Sequence, residues 1–393
     1  MIAFLNWFLS STVRQARQMC SHARKLVAAQ RDLLAPPAIS AVEASILALQ
    51  RSTEGTIDRQ GIEKRMLELD ETARKWLKPY PHASYRENVE VLLVAIAVAM
   101  GIRTFILQPF KIPTGSMQPT LYGVTTQELP PGQELPNFFQ RVKDFLVSGV
   151  TYFHIVAHND GVFSIVDPQP SRFLLFNLRQ RFKIGEEVYT VWFPPENLWR
   201  HAGFGGDGFP ERHPEFKAGQ NILHMAAVAG DHLFVDRVTY NFRHPARGDI
   251  VVFKTSGIHS PFMPEDQHYI KRLIGLGGET VQIGNDRHVV INGKRLDTSV
   301  PHFSKVYDES HWKNGGYMGH VNGSFHPSLG IPYFPDEATK FAVPPKQYLV
   351  MGDNTLNSSD SRYWGSFPRE NVIGKSFFVY WPFNSRFGWW GHD

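Results

Sequence analysis

Ser116 lies in the run Phe110-Lys111-Ile112-Pro113-Thr114-Gly115-Ser116-Met117-Gln118-Pro119-Thr120-Leu121, a few residues after an apolar stretch from Val91 to Ile102. Pro113 and Gly115 allow a tight backbone around the hydroxyl. Its place beside the apolar stretch suggests a nucleophile held at a membrane surface. Such a serine needs a base. Histidine is the usual choice, and the chain has 17. Yet there is no Gly-x-Ser-x-Gly elbow, and no histidine sits in a compact motif with an acidic orienter. No His-Glu-x-x-His occurs either, and His154, His158, His201, His213 and His224 are scattered at no ligand spacing. No metal site and no cofactor are expected. Lysine is the other possible base. Its ordinary pKa, about 10.4, makes it useless at neutral pH, but burial among apolar groups lowers that value. Lys271 is the candidate, between Tyr269-Ile270 and Leu273-Ile274 in a strand-like run, with Arg272 sent to the opposite face by the period of two. On the strand alone, an ordinary edge lysine with its head in solvent is the simpler reading.

The elements that would position these groups follow from the rest of the chain. At 393 residues it can hold two or more domains. A net charge of +4, with no long basic tract, argues against a nucleic-acid partner. The single cysteine, Cys20, excludes an internal disulfide framework and reads as inert in a helical-looking stretch. Residues 10–78 carry helical periodicity, broken at Pro36-Pro37 and again at Thr53-Glu54-Gly55, and suggest a helical hairpin. The run Val91 to Ile102 is too short to span a bilayer, which takes about 20 residues. Extended to Val89 to Phe110, it has only Glu90 and Arg103 as charges, both near an end. A single span is expected, with Arg74, Lys75, Lys78 and Arg86 ahead of it favouring a cytoplasmic N-terminus. Met1 to Leu9 is apolar but lacks the features of a signal peptide; it fits an interfacial segment or a poor first span. After the span, short β-branched and aromatic runs separated by turns, with Asn292-Gly293 marking a hairpin, predict an all-β unit. Phe387, Trp389 and Trp390 fit either core packing or an interfacial belt.

Four blocks, taken in order, resemble the type I signal peptidases, the bacterial leader peptidase family of membrane-bound serine proteases. They are Arg103 through Leu121, Gly230 through Phe253, Tyr269 through Gly275, and Met351 through Gly365. Together they cover less than half of the chain. The resemblance implies a mainly β catalytic domain, of the signal-peptidase/LexA-like β fold, on a single transmembrane helix with an N-terminal helical cytoplasmic segment. The boundaries expected are 1–86 for that segment, 87–109 for the span, and 110–121 with 221–393 for the catalytic domain. Residues 122–220 are expected to form a β-rich insertion and 297–340 a loop-rich one. The resemblance makes Ser116 the nucleophile and Lys271 its general base. It makes Ser358 the hydroxyl that orients the lysine, and Thr114 the oxyanion-hole partner of the Ser116 N–H. Asp360, Arg272 and Arg362 become a supporting ion-pair set. Phe110, Ile112, Pro113, Met117, Leu121, Tyr269 and Ile270 become the substrate pocket.

The function implied is cleavage of N-terminal signal peptides from exported preproteins after small residues of the Ala-x-Ala type. The implied partners are those signal peptides and the lipid bilayer, with the secretion translocon a further candidate. The implied location is the bacterial cytoplasmic (inner) membrane, single-pass, with the catalytic domain outside. Two positions depart from the family pattern: Gly277 stands where proline is usual and Glu279 where aspartate is usual. Both sit in a turn, so shifted turn geometry with intact chemistry is expected. Two rivals remain. A Ser–Lys self-cleaving regulator would need a DNA-binding helix-turn-helix and would give fragments that vanish in Ser116→Ala. An inactive membrane-anchored scaffold would need a lost catalytic position, and every one is filled.

Overall fold

The computed structural model describes residues 10–54, 58–78, 83–173, 176–205, 210–258, 260, 263–310 and 317–389. The opening stretch Met1 to Leu9 and Trp390 lie outside the described residues. The chain divides into two compact units, Met1–Ala97 and Val98–Asp393.

The first unit contains three helices, Ser11–Gln30, Pro36–Ser52 and Arg59–Trp76. The two breaks legible in the sequence therefore separate three helices rather than closing one hairpin. Ser10 caps the first by accepting from the Val13 N–H. Prolines open the second, where a missing N–H costs nothing. The three share one apolar core that includes Val13, Ala16, Val42, Ile46, Leu49, Ile62 and Leu69. Cys20 is buried in it, its thiol directed at the Ile46 carbonyl oxygen. Burial raises that thiol's pKa, as expected of an inert cysteine.

A further helix, Ala83–Phe105, holds a 21-residue stretch from Tyr85 to Phe105 with mean hydropathy 1.7 and no burial. That is long and apolar enough to cross a bilayer. It ends four residues before the expected boundary at 109. Pro109 disfavours helix just ahead of it, and Leu107–Lys111 instead pairs with His232–Asp236 as an edge strand, where a missing N–H is tolerated.

The second unit is built on a seven-stranded antiparallel sheet. Its order is Leu107–Lys111, His232–Asp236, Val372–Trp381, Ile250–Lys254, His268–Leu276, Gln347–Met351 and Phe367–Pro368. Val235, Val252 and Val379 pack one part of its core; Phe253, Val350 and Phe367 pack another. A four-stranded sheet carries the Asn292-Gly293 hairpin, in which Val289–Ile291 pairs with Lys294–Arg295. Residues 297–340, expected to be a loop-rich insertion, contribute Phe303, Tyr307, Val321 and Phe334 to that sheet's core, so the segment is packed structure. Glu279 holds its turn by pairing with Arg247 at 2.5 Å and accepting from the Leu276 N–H.

The inserted β unit has its own aromatic core of Phe163, Phe182, Tyr189, Trp199 and Phe204. Its packing continues past the expected end at 220. Strand Asn221–Val228 pairs with both Thr125–Glu128 and Val150–Val156 and sends Leu223 and Met225 into the same core.

Trp389, at the other end of the second unit, is 58 % exposed and meets Phe378 edge-on, so this aromatic end is not core.

Candidate active site

Ser116 sits on a single helical turn, Gly115–Met117, directly after the edge strand that leads out of the apolar helix. The turn is clamped by a loop from the far end of the chain. Asn354 donates its backbone N–H to the Ser116 carbonyl oxygen and its side-chain amide to the Gly115 carbonyl oxygen, each at 3.0 Å. Gly352 is part of this fit. A Cβ there would collide with Ser358 Oγ and the Ser116 carbonyl oxygen.

Lys271 comes from strand His268–Leu276, in the interior of the large sheet. Alternation along the strand divides the two cations, as expected. Lys271 Nζ lies 2.8 Å from Ser116 Oγ and 3.0 Å from the Ile270 carbonyl oxygen. The lysine is only 4 % exposed, so the reading of an edge lysine with its head in solvent does not hold. Burial is the main cause that lowers its pKa to about 8; Asp360 and Asp353 push the other way. With Nζ protonated it donates to the serine. Once neutral, the same separation lets it accept the hydroxyl proton.

Arg272, fully buried on the opposite face, forms a two-pronged pair with Asp353 at 2.8 and 2.7 Å. It also donates to the Gly248 carbonyl oxygen and to Thr120 Oγ1. Arg362 forms a separate two-pronged pair with Asp360 at 2.8 and 2.9 Å. The expected ion-pair set of Asp360, Arg272 and Arg362 is thus two independent pairs. The missing partner is Asp353, whose position in Gly352-Asp353-Asn354 reads as mere turn chemistry. The strand alternation was the available signal: an arginine sent inward opposite Lys271 requires a buried carboxylate. Burial pushes the Asp360 carboxyl up, but the Arg362 guanidinium and the Gly352 N–H outweigh it and hold the group below the usual range.

Ser358 borders the same cleft, buried beside the nucleophile loop. Its hydroxyl has no hydrogen-bond partner among the described residues, although it lies near enough to help hold Asp360 ionised. The bond to the lysine that the resemblance implied is not formed. Thr114 is exposed in the cleft one residue before the turn that carries Ser116.

The cleft is about 790 Å³ in volume. Of the expected pocket residues, Pro113, Tyr269 and Ile270 border it. Ile112, Met117 and Leu121 do not. They are 2 %, 0 % and 0 % exposed and pack with Leu233, Val235 and Ile250 beneath the sheet. Phe110 packs partly on the same core and meets the cleft residue His268 edge-on at 5.4 Å. A second wall comes from residues that sequence reasoning had not singled out. Thr125 and Thr126, with Asn197, Arg200 and His201 from the inserted unit, face the same space.

A family model described as "Signal peptidase, peptidase S26" matches residues 85–127 and 221–381. Signal peptidase I of Leptolyngbya laminosa is 34 % identical over 155 residues, covering 39 % of this chain and 62 % of that one. A probable signal peptidase I-2 of Synechocystis is 34 % identical over 158 residues, covering 39 % and 56 %. Signal peptidase I of Aquifex aeolicus is 32 % identical over 185 residues, covering 39 % and 70 %. The chain therefore spans somewhat under two thirds of the first two of these relatives.

Proposed function

Because the chain belongs to the signal peptidase family, peptidase S26, we propose that it is a membrane-bound serine endopeptidase that removes N-terminal signal peptides from exported preproteins. The observation that carries this reading is the 2.8 Å contact between Ser116 Oγ and the buried amine of Lys271, residues 155 apart in the chain.

Neutral Lys271 accepts the Ser116 proton while Oγ bonds to the scissile carbonyl carbon. The carbonyl oxygen takes the charge and is held by the Ser116 N–H and the Thr114 hydroxyl, each such donor lowering the barrier by about 3 kcal/mol. The carbon–nitrogen bond then breaks, and the lysine ammonium gives its proton to the departing amine. Water next loses a proton to Lys271 and bonds to the ester carbon. As the ester C–O bond breaks, the lysine ammonium returns that proton to Ser116 Oγ, and the signal peptide leaves as its carboxylate once its acid proton passes to solvent. The Ile270 carbonyl oxygen holds the lysine beside Ser116, and the Asp353–Arg272 and Asp360–Arg362 pairs brace the floor. Pro113, Tyr269 and Ile270 wall the cleft and suit small side chains, typically alanine, at the first and third positions before the cut.

The helix Ala83–Phe105 anchors the enzyme in the bacterial cytoplasmic membrane, with the helices before it inside and the catalytic unit outside. The exposed rings of Phe387 and Trp389 suit headgroup depth. Anchoring brings Ser116 to the surface at which a tethered signal peptide presents its cut site.

Processing of an exported precursor by membranes that carry each variant tests this reading. Ser116→Ala and Lys271→Arg are both expected to leave the precursor uncut. Arginine stays charged at every working pH and cannot take the proton. Substantial cleavage by Lys271→Arg would end the Ser–Lys assignment.

A further inference from the structure

The helix Phe138–Ser148 has its faces the wrong way round for a soluble protein. It lies in the inserted stretch, between the blocks that match the family. Its ends are well formed. The Asn137 side chain accepts from the Gln140 N–H, and Gly149 closes the helix at φ +67°, in the left-handed region that suits glycine. Yet none of its 11 residues is buried. Phe138, Phe139, Val142, Phe145 and Leu146 fall at i, i+1, i+4, i+7 and i+8, which makes one apolar stripe. On a soluble surface helix such a stripe faces the core. Here Phe138 is 65 % and Phe139 82 % exposed, and Val142, Phe145 and Leu146 are exposed with them.

The side turned to the protein is the polar one. Gln140 and Asp144 lie opposite the stripe and are bonded to each other at 2.7 Å. Asp144 also accepts from the Tyr152 hydroxyl at 2.9 Å, which ties the helix to the strand Val150–Val156. The C-terminal segment holds the other end. The Trp381 indole N–H donates to the Leu146 carbonyl oxygen at 2.9 Å, and the Phe383 N–H donates to the Val147 carbonyl oxygen at 2.8 Å. Phe145 meets Trp381 edge-on. Phe383 is exposed and its ring lies 5.1 Å from that of Phe387. The apolar surface therefore continues from the helix into the segment whose rings the proposed function sets at headgroup depth.

Charge identifies what covers this surface. Arg141 and Lys143 are exposed and flank the stripe, one on each border. The only carboxylate of the helix, Asp144, is turned to Tyr152. A second copy docked on the same stripe would bring basic borders against basic borders. A lipid surface with anionic headgroups fits both features: the rings enter the acyl boundary and the cations meet phosphates.

We propose that Phe138–Ser148 is an interfacial helix that lies in the headgroup layer of an anionic membrane, a second membrane contact besides the helix Ala83–Phe105. The proposal rests on the membrane-anchored reading of the chain. It gives the insertion a role in setting the cleft. Trp381, on which the helix sits, pairs with His232, and His232 pairs with Lys111 on the strand that leads to Ser116.

The test uses full-length protein carrying Cys20→Ala and one of Phe139→Cys, Val142→Cys, Leu146→Cys or Gln140→Cys. Each cysteine receives a nitroxide, and thermal melting confirms that each variant is folded. The protein is reconstituted in vesicles of phosphatidylcholine with phosphatidylglycerol. Electron paramagnetic resonance then measures how often each label meets oxygen, which enters lipid, and a polar nickel complex, which does not. Labels at 139, 142 and 146 are expected to meet oxygen and to lose contact with nickel, while the label at 140 meets nickel. Each basic residue near an anionic surface strengthens the attraction by about fivefold. Arg141→Glu with Lys143→Glu should therefore return the label at 139 towards water. Nickel contact at all four positions would overturn the proposal, since the stripe would lie in water. Loss of contact with both oxygen and nickel at 139, 142 and 146 would overturn it in favour of a protein cover, from a second copy or from elsewhere in the chain. No response to the charge reversal would overturn the anionic surface. Protein that fails to float with the vesicles would overturn the anchored reading, and this proposal with it.

Discussion

At the scale of single residues, the site depends on a lysine kept where its charge is unwelcome. Its pKa falls from 10.5 to about 8. Below about 8 the amine is protonated folded and unfolded, and the full burial penalty applies. Between about 8 and 10.5 the unfolded chain holds a proton that the folded one has lost, so stability rises with pH. Above 10.5 the penalty is gone. At about 1.4 kcal/mol per tenfold step, the penalty at pH 7 is about 3 kcal/mol. Lys271→Met is therefore expected to stabilise the protein by up to that amount in denaturant unfolding at pH 7, with the gain shrinking towards pH 10.5. A gain independent of pH, or a loss, would contradict the buried-ammonium account. The sequence named Ser116 and Lys271 as the candidate pair but could not tell a buried amine from a solvated one, because burial depends on strands far away in the chain. Asp353 was hidden for the same reason. A carboxylate in a Gly-Asp-Asn turn looks local until a distant strand brings Arg272 onto it. Ile112, Met117 and Leu121 have the right chemistry for a substrate pocket, yet their side chains are spent on the sheet's core.

Elements place these residues by bringing remote segments together. The nucleophile turn, the lysine strand and the 352–358 loop meet only because the sheet sets Leu107–Lys111, His268–Leu276 and Gln347–Met351 within one layer. Strand alternation and the Asn292-Gly293 hairpin were legible from residue pattern alone. The strands Thr125–Glu128 and Asn221–Val228 were not, since they are recognised by pairing with each other across the inserted unit. The 297–340 segment shows a similar limit. Rich in Gly and Pro, it looks like loop, but it buries Phe303, Tyr307 and Phe334 without regular repeats. Trp199 connects packing to the cleft at this scale. It is nearly fully buried and bonded to Asp167, so Trp199→Ala should cost about 3–5 kcal/mol of stability in the inserted unit. Chemical denaturation followed by fluorescence would measure it. A cost below about 1 kcal/mol would mean that the cleft's second wall is not held by that core.

For the whole molecule, the proposed function makes the apolar helix Ala83–Phe105 a membrane anchor. The apolar helix was readable from composition, and the strand at its end explains why it stops at Phe105 rather than 109. If it crosses the membrane, the protein should stay in the pellet after an alkaline carbonate wash and move to the soluble fraction only with detergent. Release by carbonate alone would remove the anchor from the account. The central claim is that Lys271, neutral and buried, activates Ser116, and the pH dependence of kcat/KM for precursor cleavage tests it most directly. The account predicts that the rate climbs through about pH 8 as the amine loses its proton and levels off above it. A profile that is flat from mildly acidic to alkaline pH would contradict it.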